Sequence, residues 1–182
     1  MQKQSNTITK KASKIKLVIF DVDGVLSDGK IIYSSSENQF VESKAFDVKD
    51  GLGIKLLHLA NIQTAIITGR KSDLVTRRAS ELGIHHLFQG RDDKLIATQE
   101  LEKRLSVLPE EIAYIGDDLP DLSAIQYVGM GVAVKNASPH LLKVADYISE
   151  HTGGNGAVRE ICELILEAQN KLQPLVQQYR LI

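Results

Sequence analysis

Acidic residues collect at two places in the chain: Asp21 and Asp23 in the run Asp21-Val22-Asp23-Gly24, and Asp117, Asp118 and Asp121 after Gly116. Thr68 and Lys94 lie between them. Carboxylates do not gather unpaired at low dielectric, because like charges raise one another's pKa. A hard divalent cation relieves this, and an all-oxygen ligand set with room for water suits Mg²⁺. Asp21 and Asp117 are the side-chain ligands expected on this reading, with the backbone carbonyl of Asp23 as a third. Lys94 would set a fixed positive charge against Asp21 and against a bound anion. The Thr68 hydroxyl and loop N–H groups near Asp23 and Gly69 suit the oxygens of a phosphate. Asp21 could then attack phosphorus as a nucleophile. Asp23 could give a proton to the leaving alkoxide and later take one from water. Gly24 frees the backbone to turn both carboxylates toward one cavity.

Such a site needs elements that end together. Short apolar runs bounded by Gly or Asp alternate with helix-period stretches, the pattern of an α/β protein with a parallel, Rossmann-like sheet and helices on both faces. The strands expected are Ile15 to Phe20, Thr64 to Ile67, His86 to Phe88, Ile112 to Ile115, Val132 to Val134 and Tyr147-Ile148. Helices are expected over Asp50 to Ala60, Asp73 to Leu82, Asp92 to Leu105, Asp121 to Tyr127 and Pro139 to Ala145, with one long helix after Gly153-Gly154-Asn155-Gly156. A β-hairpin is expected at about 29–48, around Ser34 to Asn38. Asp21, Thr68 and Asp117 all follow the carboxyl ends of expected strands, where open α/β sheets bind ligands.

Composition narrows the function classes. The 182 residues suit one domain, expected over 15–182, and a core of aliphatic residues, since aromatics make up 5% and Trp is absent. Lys and Arg number 22 against 23 Asp and Glu, so the basic excess of a nucleic-acid partner is missing. No run approaches the ~20 apolar residues of a membrane span. Cys162 is the single cysteine, which suits a reducing compartment, and the cytoplasm is expected. Residues 1–14 are polar and basic, without the apolar block of a signal peptide, and read as a flexible tail.

Cations on helix faces suggest an acidic substrate. Arg78 shares a face with Val75 and Leu82, and Lys55 with Leu52 and Leu59. A cation on a core-side face needs an anionic partner. Lys49, Lys55, Arg70 and Arg78 could therefore hold a substrate carboxylate or sugar hydroxyls, from the same or a neighbouring chain. Arg78 and Lys55 could equally snorkel beside the core or form internal ion pairs. Asp50 and Asp118 also read as helix-start carboxylates. The 153–156 loop reads either as an anion cradle or as a plain turn.

The ordered set Asp21-Val22-Asp23-Gly24-Val25, Thr68-Gly69-Arg70, Lys94 and Gly116-Asp117-Asp118-Leu119-Pro120-Asp121 resembles the four motifs of haloacid dehalogenase superfamily phosphatases. The resemblance implies Asp21 as nucleophile, Asp23 as acid and base, Thr68 and Lys94 as phosphate binders, and Asp117 as a metal ligand. Asp121 would ligate Mg²⁺ directly or through water. From Asp21 to Thr68 is 47 positions and from Thr68 to Lys94 is 26, too few for a cap domain. The whole chain is similar to one capless branch, the phosphatases of 3-deoxy-D-manno-octulosonate 8-phosphate in lipopolysaccharide synthesis. The residues that carry this are Asp28-Gly29, Phe46 to Gly53 and His151 to Glu160. The branch implies a homotetramer with active sites near subunit interfaces, and a substrate border that includes Asp47, Asp50 and Gly51. Ser27 and Lys49 depart from its usual Thr and Arg. Lys49 lacks the bidentate geometry of Arg.

Two alternatives remain at this level. One is a phosphatase of a related nonulosonate phosphate. The other is a non-catalytic regulatory or oligomerisation module, against which the intact motif set argues. A phospho-accepting receiver domain fits poorly, because the Asp-x-Asp lies on the first strand.

Overall fold

The computed structural model describes residues 2–36 and 39–180. Helix α1 (Gln2–Ala12) leads into strand β1 (Leu17–Phe20), followed by a two-stranded antiparallel hairpin, β2 (Ile32–Ser36) and β3 (Gln39–Ser43). The chain then alternates through α2 (Val48–Leu59), β4 (Gln63–Thr68), α3 (Asp73–Leu82), β5 (His86–Gln89), α4 (Lys94–Leu105), β6 (Ile112–Gly116), α5 (Leu122–Tyr127), β7 (Met130–Ala133), α6 (Pro139–Leu142) and β8 (Tyr147–Ile148). Two helices close it, α7 (Ala157–Ala168) and α8 (Leu172–Tyr179).

The main sheet is six-stranded and parallel, in the order β5-β4-β1-β6-β7-β8. Its central strand is the apolar run Leu17–Phe20, all four residues fully buried, as a strand covered on both faces must be. Phe20 stands level with Ile66 of β4 and Ile115 of β6, so the three strands end side by side. The order reverses direction about β1, which makes its carboxyl end the switch point where such sheets bind ligands.

α1, α2, α7 and α8 pack together, and α4 packs with α5. The expected flexible tail at 1–14 is replaced by a docked helix. Ile8 and Ala12, four residues apart on one face, join the core, and the Gln169 amide donates to the carbonyls of Ala12 and Ile15. The polar run hid this because only one narrow stripe of α1 is apolar. The single long C-terminal helix is also corrected. It divides into α7 and α8 at Asn170, whose φ of 56° ends the first helix. Leu172 and Leu175 bury against the chain's own core; Leu181 and Ile182 lie outside the described residues.

Among the described residues no helix is long and apolar enough to cross a membrane. Cys162 is fully buried in α7, in keeping with a packing role.

Candidate active site

β1 ends at Phe20 and the next residue, Asp21, still donates its N–H to Ile115 O at 3.0 Å. The chain then leaves the sheet in one wide turn over 22–26, closed by Ser27 N–H to Val22 O at 2.9 Å. Gly24 makes the turn possible. Its φ is 97°, and a Cβ there would stand 2.1 Å from Asp117 Oδ2. The loop can thus press against the end of β6 only because residue 24 has no side chain. The 153–156 loop seals the other side: Gly154 N–H donates to Val25 O at 2.8 Å, and a Cβ on Gly153 would meet Gly24 O at 1.6 Å. Its glycines serve this close approach, so the turn reading accounts for them.

β4 delivers Thr68, Gly69 and Arg70, and β6 delivers Asp117, Asp118 and Asp121. α4 opens with Lys94, a cation at the positive end of a helix dipole, where it is disfavoured unless anions hold it. They do: Lys94 Nζ lies 2.5 Å from Asp121 Oδ1 and 3.1 Å from Asp21 Oδ1, with the lysine 4% exposed. These residues, with Asp23, Asp92 and Pro120, line one cleft of about 210 Å³ at the switch point.

Oxygens of Asp21, Asp117 and Asp121 lie within 4.8 Å of one another. Burial, and then the Asp121 charge, push the Asp21 carboxyl up to about 7; the same two causes raise Asp117 to about 7. Burial works to lower the Lys94 pKa, but the Asp21 and Asp121 charges outweigh it and hold the ammonium above its usual value. Such raised carboxyls are the mark of a site short of positive charge, and hard oxygen donors match Mg²⁺.

The three carboxylates are not equivalent. Asp121, fully buried, accepts from Lys94 Nζ and Tyr114 OH (2.9 Å) on Oδ1, and from the N–H groups of Asp117 (3.0 Å) and Asp118 (3.3 Å) on Oδ2. Its roughly four acceptor positions are therefore taken by the chain itself. Asp21 and Asp117 keep open positions for a cation. Asp118 caps the turn Leu119–Asp121 through Leu119 N–H at 2.8 Å, the helix-start role.

Of the expected substrate-binding residues, Asp23, Gly69 and Arg70 border the cleft. Asp47, Lys49, Asp50, Gly51, Lys55 and Arg78 do not line it. Asp47 caps α2 through Lys49 N–H at 2.6 Å, and both line a separate depression with His151 and Arg159. Asp50 is buried and turned inward, accepting from Arg159 N–H at 2.8 Å and Gly156 N–H at 3.4 Å, so it caps α7 from the neighbouring helix. Gly51 makes room for the Arg78 guanidinium, 2.6 Å from where a Cβ would be. Arg78 donates to Asp47 O at 3.2 Å, lies over the Phe46 ring and pairs with Glu81 at 3.5 Å, the internal alternative. Lys55 is exposed, because the face it shares with Leu59 (56% exposed) points away from the core. The core-facing stripe of α2 is Ile54, Leu56 and Leu57 instead.

Sequence reasoning missed Glu42, Lys44, Asp92 and Tyr114. Asp92 stood beside the motif lysine and had a signal. Tyr114 was hidden inside an apolar strand, and Glu42 and Lys44 inside a hairpin whose fold-back over the site has no sequence signature.

Residues 60–161 match the family described as haloacid dehalogenase-like hydrolase. The chain is 51% identical over 168 residues to the 3-deoxy-D-manno-octulosonate 8-phosphate phosphatase KdsC of Salmonella typhi, covering 92% of this chain and 88% of that one. A crystal structure of the corresponding phosphatase from Moraxella catarrhalis, in complex with magnesium ion, phosphate ion and KDO, superposes with a TM-score of 0.93 at 53% identity, covering 96% and 98% of the two chains. The cobalt-bound enzyme of Haemophilus influenzae gives 0.83 at 43% identity, covering 88% and 92%. With the motif residues assembled at one switch point and this degree of likeness over nearly the full length, the chain belongs to the haloacid dehalogenase-like hydrolases, in the family of the 3-deoxy-D-manno-octulosonate 8-phosphate phosphatases.

Proposed function

We propose that this protein is a Mg²⁺-dependent phosphatase that hydrolyses 3-deoxy-D-manno-octulosonate 8-phosphate to the free sugar acid and phosphate, a step of lipopolysaccharide synthesis. The observation that carries it is the buried Lys94 held between Asp21 and Asp121 at the switch point, with Asp117 beside them. Asp21 and Asp117, with the Asp23 carbonyl, hold Mg²⁺, which neutralises phosphate charge as the nucleophile approaches. Asp121 keeps Lys94 and the 117–118 backbone in place rather than spending an oxygen on the ion.

The Asp21 carboxylate attacks phosphorus and the ester P–O bond breaks, leaving an aspartyl-phosphate. Asp23 gives its proton to the departing alkoxide. Water then attacks phosphorus, Asp23 takes its proton, and the P–O bond to Asp21 breaks to free phosphate. Thr68, the loop N–H groups and Lys94 hold the phosphate oxygens throughout.

The cleft, at about 210 Å³, falls below the ~300 Å³ and more that enclose a whole small ligand. It holds the phosphate end and leaves the sugar acid projecting. The working unit we propose is a homotetramer in which neighbouring chains cover that sugar, with Lys49 and Lys55 facing a neighbour's substrate. The exposed hairpin residues Phe40 (84%), Tyr33 (61%) and Ile32 (53%) support such association. Residues 15–182 form the catalytic domain in this proposal, and the cytoplasm, where a lone thiol stays reduced, is its compartment.

The test is phosphate release from this substrate against a panel of sugar phosphates, with Mg²⁺ and with EDTA. Strong, EDTA-sensitive activity on the octulosonate ester alone is the expected result. Equal activity across the panel would overturn the substrate assignment.

A further inference from the structure

Lys44, one residue past the end of β3, carries a charge yet its side chain has no solvent exposure. Its Nζ pairs with Asp23 Oδ1 and stands 3.5 Å from Glu42 Oε1. Glu42 also accepts from Arg70 Nη2 at 3.2 Å. The Arg70 Nε–H, buried and without a hydrogen-bond partner, lies 3.8 Å from Asp23 Oδ2. The two oxygens of Asp23 are therefore unequal. Oδ1 is engaged by an ammonium, the strongest kind of hydrogen bond available to it. Among the described residues Oδ2 receives none.

Full desolvation of an ammonium is disfavoured, and an ion pair at a surface would leave Lys44 in water. Its complete burial against Asp23 fixes the carboxyl plane instead. A short flexible acid that must meet a leaving oxygen within hydrogen-bond reach gains directly from such restraint, since small misplacements of catalytic groups cost large factors in rate.

We propose that Lys44 is a positioning residue for Asp23. By engaging Oδ1 it orients the carboxyl so that Oδ2 carries the proton, and it ties the β2–β3 hairpin to that step. This rests on the reading of Asp23 as acid and base. In the first half-reaction the Oδ2–H bond breaks and the proton passes to the ester oxygen as its bond to phosphorus breaks. In the second, Oδ2 takes a proton from water as the new O–P bond forms. Lys44 keeps its own protons throughout.

A positioning lysine and a merely structural one differ in how they respond to the leaving group. A sugar alkoxide needs a proton to depart; 4-nitrophenolate does not. With Lys44→Met, the single-turnover rate of sugar release from 3-deoxy-D-manno-octulosonate 8-phosphate should fall roughly 10²-fold, the scale of general acid catalysis. The single-turnover release of 4-nitrophenolate from 4-nitrophenyl phosphate, which is complete before water attacks, should change less than about 3-fold, because that first step makes no use of the acid. In an Asp23→Asn background the same substitution should cost nothing further. Should Lys44→Met not fold, Lys44→Arg keeps the charge while moving it, and the skew between the two esters is read from that variant. Equal losses of this first step on both esters, or additive losses with Asp23→Asn, would overturn the inference alone. A folded wild-type protein that releases phosphate from neither ester would overturn the functional reading and the inference with it.

Discussion

Replacing Asp121 by Asn keeps the side chain's shape and removes its charge. In the native protein its two oxygens accept four hydrogen bonds, from Lys94, Tyr114 and the N–H groups of Asp117 and Asp118. An amide has one acceptor oxygen and an NH₂ that donates, so either Lys94 or the two N–H groups must face another donor, while the Tyr114 hydroxyl can accept instead. Whichever way the amide turns, a fully buried site is left with mismatched polar groups. Breaking a buried ion pair from one side costs about 3–5 kcal/mol. Two things soften it here: Lys94 keeps Asp21 at 3.1 Å, and the repulsion of Asp121 on Asp21 and Asp117 disappears. A loss of about 3 kcal/mol is expected, which for a chain of this size lowers Tm by roughly 6–12 °C. Urea denaturation of the metal-free protein measures it directly. Activity should fall as well, since Lys94 and the 117–118 backbone lose their anchor. A loss below about 1 kcal/mol would show that these donors find other partners and would refute the role assigned to Asp121.

Three further outcomes follow from the same geometry. Asp21 and Asp117 have folded-state pKa values near 7 against 3.8, so in metal-free protein the native state binds more protons than the unfolded one between those values. Its stability is then greatest below pH ~4 on this account and falls as pH rises through ~7. The Tm increase on adding Mg²⁺ should accordingly grow from pH 5 to pH 8, and an increase that shrinks over that range would contradict the assignment. Gly24→Ala forces a Cβ into Asp117 at a φ of 97°; Mg²⁺ affinity by calorimetry should drop, and kcat should fall roughly 10²-fold, as for a ~1 Å misplacement. Asp50→Ala removes the cap of α7 and should cost about 1–2 kcal/mol in urea melts, with kcat/KM on the sugar ester nearly unchanged. A selective rise in KM would return Asp50 to the substrate border.

The parts of this molecule that could be read in advance are those governed by local pattern. The helix over Asp73–Leu82 appears as expected, and the strands of the parallel sheet are displaced by two residues or fewer at either end, because buried parallel strands are continuous apolar runs. The motif residues converge because each follows a strand end, and a parallel sheet brings those ends together. Substrate-side residues were less legible because helix periodicity says which residues share a face but not where that face points. Lys55 shares its face with Leu59, and that face is solvent-exposed. Asp50 looked like a ligand-facing carboxylate until the packing of α2 on α7 gave it two backbone N–H groups to cap. Lys44 and Tyr114 depend on tertiary contacts across 21 and 7 positions, and nothing in their neighbourhoods announces them.

In the proposed mechanism phosphate passes through the Asp21 carboxylate. That step is tested most directly by reducing the enzyme with borotritide during steady turnover of 3-deoxy-D-manno-octulosonate 8-phosphate, then mapping the label by peptide mass spectrometry. Tritium is expected on the peptide that contains residue 21, requiring both Mg²⁺ and substrate and absent from Asp21→Asn. Label on another aspartate, or continued turnover with no labelled residue, would contradict it.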